Sequence, residues 1–149
     1  MADSVFSRVA KALGEGTPRL AYQAFTRYPD REVFGLETLF RWQLASTGEI
    51  LPPAHIFSVL EPEHTSELFF WVINQAIKEM TGLTAWTHFK GLVSINMEAD
   101  QLGDPDLMAH VRKALIDYEF PAERLMLEIT ERRAIPDFPS TRQIGRAHV

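Results

Sequence analysis

Three apolar runs in this 149-residue chain each carry one oxygen-bearing side chain that a buried strand does not call for. "FGLETLFRW" carries Glu37, "GLVSINM" carries Asn96, and "RLMLEIT" carries Glu128. Side chains alternate along a strand, so Glu37, Leu39 and Arg41 share one face while Leu36, Thr38 and Phe40 take the other. By the same rule Asn96 faces with Ser94, and Glu128 with Met126 and Thr130. Isolated carboxylates are costly to bury, so two that converge need compensation. Two carboxylates and an amide are hard oxygen ligands, suited to Mg²⁺ or Mn²⁺ rather than zinc or copper. For one strand alone, a polar residue facing solvent from a half-exposed sheet is the better explanation. Three in succession leave both readings open.

The elements that would position these residues follow from local signals. "DSVFSRVAKALGEG" predicts a first helix with Asp3 or Ser4 as cap and Gly14 as stop. "RLAYQAF" and "EVFGLETLFRW" flank the polar turn "RYPDRE" and predict an antiparallel hairpin. "LASTGEIL" is expected to be a loop, and Pro52 and Pro53 open a short helix to about Leu60. A longer helix over "TSELFFWVINQAIKEM" is expected to be capped by Thr65 or Ser66 and to bury Phe69, Val72, Ile73, Ala76, Ile77 and Met80. "GLVSINM" is a third strand. "DPDLMAHVRKALIDY" is a helix with Asp104 as cap and Pro105 in its first turn, and "RLMLEIT" is a fourth strand. This order predicts an α/β domain with mostly parallel crossovers, in which ligands gather at the C-terminal ends of the strands.

Composition narrows the chemistry further. Fifteen basic and twenty acidic residues give a net charge of -5, which disfavours a broad DNA-binding or anionic-membrane surface. The absence of cysteine excludes disulfides, thiolate metal sites and cysteine nucleophiles. No apolar run reaches the roughly 20 residues of a membrane span, and the N-terminus lacks the pattern of a signal peptide. A cytoplasmic location is the expectation. His55, His64, His88 and His110 show no paired ligand spacing and are assigned to surface or packing roles. Phe69, Phe70 and Trp71 are assigned to core packing.

The set "LAYQAF … FGLETLFRW … SINMEADQL … RLMLEITER" resembles the EAL family of cyclic di-GMP phosphodiesterases. That family's motifs read Y-Q-P, then E-A-L followed by L-R-W, V-N-L-S with a trailing Q-L, and E-I-T-E-S. The resemblance covers roughly residues 9–138, in order and at family-like spacing. It implies a modified TIM barrel with an antiparallel first strand, here reaching about four strands. It also implies hydrolysis of cyclic di-GMP to linear pGpG with Mg²⁺ or Mn²⁺. Carried over by position, Glu37, Asn96 and Glu128 match metal ligands, Gln23 and Arg41 match substrate-contacting residues, and Glu131 matches a glutamate that steadies an active-site loop. Thr38 replaces the signature alanine, Ala24 a proline, Met97 and Glu98 a Leu-Ser pair, and Arg132 a serine.

The family's D-D-F-G aspartates, K-I-D lysine and a later glutamate have no counterpart in the sequence. The chain is therefore expected to be the N-terminal portion of an EAL domain, residues 1–142, inactive as it stands. The complete protein is the expected phosphodiesterase, and a homodimer of it is compatible with the resemblance. The alternative is a degenerate EAL domain that binds a protein or cyclic di-GMP without cleaving it. Residues 143–149 are expected to be non-native: "IGRAHV" translates ATCGGAAGAGCACACGTC, part of a common sequencing-library adapter, and Gln143 fits a codon ending in the preceding adapter bases.

Overall fold

The computed structural model describes residues 4–130; Glu131, Arg132 and the 143–149 tail lie outside the described residues. Helix α1 (Val5–Leu13) begins where the Ser4 hydroxyl accepts a hydrogen bond from the Ser7 N–H at 3.2 Å. It ends at Gly14, whose φ of 111° is one that few other residues adopt. Strands β1 (Gly16–Thr26) and β2 (Val33–Leu44) form the expected antiparallel hairpin. Strands β4 (Leu92–Glu98) and β5 (Leu125–Thr130) add in parallel, giving the order β1-β2-β4-β5. The sheet has a fifth member: the end of the expected loop, Ile50–Leu51, pairs with Trp42 and Gln43 as the short strand β3. A first strand antiparallel to three that follow in parallel is the topology expected of a modified barrel, and the sheet of these residues is open rather than closed.

Helices α2 (Pro53–Phe57), α3 (Pro62–Thr87) and α4 (Leu107–Asp117) supply the covering layer. Two helix starts differ from the sequence-based expectation. Helix α3 begins before Thr65 because Pro62 occupies its first turn, and Glu61 is its N-cap. Thr65 lies inside that turn, where its hydroxyl donates to the Pro62 carbonyl at 2.6 Å. The Asp104 carboxylate accepts from the Asp106 N–H at 2.8 Å and so closes a turn ahead of α4, whose N-cap position is Asp106.

The core lies between sheet and helices. Phe40, Trp42, Val93, Ile95 and Met97 are buried there against Leu68, Phe69, Val72, Ile73, Ala76, Ile77 and Met80 of α3. Leu125, Leu127 and Ile129 pack on the same cluster. Phe6 of α1 meets Trp71 edge-on at 5.1 Å and stacks on Trp42 at 6.2 Å, while the Val5 N–H donates to Glu67 on α3 at 3.1 Å. These contacts clamp α1 over β2. At the start of β4, a Cβ on Gly91 would stand 2.5 Å from the Phe34 carbonyl oxygen, so only glycine allows the strands to close there. Arg124 ties β5 to this point, donating to the carbonyls of Gly91 and Phe89 at 2.9 and 3.2 Å. Burial pushes its pKa down, and the neighbouring Glu123 charge offsets part of that.

Candidate active site

Register places the predicted residues in one row across four strands. Gln23 on β1 stands opposite Glu37 on β2, Glu37 stands opposite Ser94 on β4, and Asn96 on β4 stands opposite Glu128 on β5. Cross-strand partners share a face, and Ser94 and Asn96 are two residues apart, so all five point away from the helices. Alternation thereby converts three separate sequence features into a single polar patch on the face opposite the core. The Asn96 Nδ2 donates to Glu37 Oε1 at 3.1 Å, which fixes the two side chains relative to each other across adjacent strands. Its Oδ1 is the atom that could serve as an oxygen ligand. Glu128 follows at one strand spacing, about 4.8 Å further along the sheet.

Arg41 lies on the same face two steps closer to the C-terminal end of β2, roughly 13 Å along the strand from Glu37. Its Nη1 donates to the Phe40 carbonyl at 2.9 Å. A cavity of about 280 Å³ opens beside the row, lined by Glu37, Phe40, Phe69, Asn96, Glu98 and Gln101 among others. It is mostly apolar with a few convergent oxygen atoms, the usual character of a small-molecule site.

Sequence reasoning missed four features in and around this patch. Glu98 and Gln101 form a reciprocal capping box on the 3-10 turn after β4, with Gln101 Oε1 accepting from the Glu98 N–H at 2.8 Å. The Gln101 amide also donates to the Thr65 carbonyl at 3.1 Å, joining the end of β4 to the start of α3. The Glu-x-x-Gln spacing was the available signal. Thr38 and Ser94 each bury a hydroxyl that finds no partner among the described residues, and no pattern in the sequence announces that. Tyr22 is the fourth, donating to the Glu79 carboxylate on the opposite face at 2.5 Å and so docking β1 on α3 one residue from Gln23. Burial first, then Glu79 itself, pushes the Tyr22 pKa well above 10.0.

The donor set fits a hard divalent cation in type. Two carboxylates and an amide oxygen match the ligands that Mg²⁺ and Mn²⁺ prefer. Among the described residues no group of three His, Cys, Asp or Glu side chains could hold a metal, so this donor set does not complete a site by itself. No helix among the described residues is long and apolar enough to cross a membrane.

Comparison with known proteins gives these features a family. The EAL domain family matches residues 7–147. An uncharacterised protein of Mycobacterium tuberculosis is 30% identical over 124 residues, which cover 80% of this chain and 39% of that protein. The cyclic di-GMP phosphodiesterase NbdA of Pseudomonas aeruginosa is 31% identical over 121 residues, 81% of this chain and 16% of NbdA. Among solved structures, the MucR phosphodiesterase in complex with c-di-GMP superposes with a TM-score of 0.75 at 25% identity, covering 89% of this chain and 55% of that one. The chain thus spans two fifths or less of the length of these two curated relatives. With the antiparallel first strand and the Gln23–Glu37–Asn96–Glu128 row in place, the match over residues 7–147 leads to one conclusion: the chain belongs to the EAL domain family.

Proposed function

We propose that the complete protein containing this chain hydrolyses one phosphodiester of cyclic di-GMP to give linear pGpG, and depends on Mg²⁺ or Mn²⁺. The observation that carries this reading is the row itself, in which Glu37 and Asn96 are joined at 3.1 Å and Glu128 stands on the next strand. Glu37, Asn96 and Glu128 would hold the metal through oxygen. Held there, a divalent cation would provide water activation and charge neutralisation at phosphorus.

The other residues bind and orient. Gln23, opposite Glu37, offers an amide to the dinucleotide at the edge of the row. Arg41 meets a phosphodiester oxygen through a charge-assisted bond. The apolar wall of Phe40 and Phe69 keeps bulk water from one side of the patch. Glu131 lies outside the described residues; its place in the signature motif assigns it a supporting rather than a metal-binding role.

The test uses the complete coding sequence. Purified complete protein is expected to convert cyclic di-GMP to pGpG with Mg²⁺, and Glu37→Ala is expected to abolish turnover. The 149-residue chain alone is expected to show none, since two carboxylates and an amide do not complete the ligand set. Turnover by the chain alone overturns the proposed inactivity, and wild-type rates in Glu37→Ala remove Glu37 from the metal site. Binding of cyclic di-GMP by the complete protein without turnover establishes the receptor reading in place of the enzyme.

A further inference from the structure

Arg19 stands directly opposite Arg41 in the β1–β2 register, on the face that carries Glu37. Like charges placed across a strand pair repel, so the arrangement is unfavourable unless something negative lies between them. Neither guanidinium has a carboxylate partner among the described residues. Both are nevertheless held in place. Arg19 Nε donates to Gln43 Oε1 at 3.0 Å, and Arg41 Nη1 donates to the Phe40 carbonyl at 2.9 Å. Each hydrogen bond uses one N–H and leaves the rest of the planar fork to face a ligand, the geometry that matches a phosphate. The pair lies at the C-terminal end of β2, the end at which parallel α/β folds collect ligands.

We infer that Arg19 and Arg41 form a two-guanidinium clamp for the phosphodiester that is not cleaved, with Arg19 a substrate-binding residue in addition to those of the signature motifs. The inference rests on the cyclic di-GMP reading. A cyclic dinucleotide presents two phosphodiesters on opposite sides of its ring. One reaches the Glu37–Asn96–Glu128 row, and the other is left to a cationic partner further along β2. Gln43 is the positioning residue that aims Arg19.

The experiment follows the Nε–Hε resonances of Arg19 and Arg41 in the complete protein by NMR, during separate titrations with inorganic phosphate and with cyclic di-GMP. Variants Arg19→Gln, Arg19→Lys and Arg41→Gln are compared with Lys113→Gln, a remote loss of one positive charge. Both resonances are expected to shift together with a single Kd. Arg19→Gln is expected to weaken binding about tenfold, the size of one charge-assisted hydrogen bond. Arg19→Lys should recover only part of that, because it restores charge without the fork, and Lys113→Gln should change nothing. Cyclic di-GMP binding that Arg19→Gln leaves unaltered overturns the clamp and spares the proposed substrate. Phosphate binding by the pair without cyclic di-GMP binding keeps the clamp as an anion site and overturns the substrate. A complete protein in which neither ligand moves either resonance overturns both.

Discussion

Glu37 was legible as a candidate because a carboxylate interrupts an otherwise apolar strand, and Asn96 and Glu128 because they repeat the anomaly. Period-two alternation alone gave their common face, and the register agrees with it residue by residue. Burial without a partner was not legible. Thr38 is 3% exposed and lies on the core face, where its hydroxyl finds no partner among the described residues, although the residue reads as a modest replacement for alanine. An unsatisfied buried hydroxyl costs on the order of 1–3 kcal/mol. Thr38→Val keeps the branched shape and removes the orphaned oxygen. It is expected to stabilise the chain by about 1 kcal/mol, read as a higher midpoint in urea with an unchanged slope. A lower midpoint would show that the hydroxyl has a partner in solution.

At the scale of elements, what could be read was what local chemistry dictates: the hairpin around "RYPDRE", the stop at Gly14 and the apolar face of α3. Helix starts were misread where a proline and an acid offered competing signals, at Pro62 and at Asp104. The docking of β1 was invisible, because Tyr22 and Glu79 are 57 residues apart and meet only through the fold. That contact predicts a pH response. Tyr22 keeps its proton in the folded chain to a pH well above 10.0, whereas the unfolded chain releases it near 10.0. A pKa raised on folding contributes stability that is whole below the unfolded value and drains away as pH rises beyond it. The wild-type melting temperature is therefore expected to fall faster above pH 10.0 than that of Tyr22→Phe, which has no phenol to titrate. Parallel curves for the two proteins would remove Tyr22 from the linkage.

For the molecule as a whole, alternating helices and strands identified a parallel α/β sheet, and the antiparallel first strand followed from the short hairpin. Neither β3 nor the close approach at Gly91 could be foreseen, since both depend on where β2 ends up relative to its neighbours. The open sheet has a physical consequence. Strand β5 is an edge among the described residues, and its backbone presents unpaired N–H and carbonyl groups beside Leu125, Leu127 and Ile129. Edges of this kind invite pairing with another chain unless a charge or a proline blocks them. The 149-residue chain is accordingly expected to self-associate, with an apparent mass in sedimentation velocity that rises with concentration. Met126→Lys places a charge on the face of β5 away from the core, so it should hold the chain monomeric at concentrations where the wild type associates, while leaving the melting temperature nearly unchanged. If the wild type stays monomeric throughout, or the Lys variant associates equally, pairing does not run through β5 and the exposed edge is covered in solution.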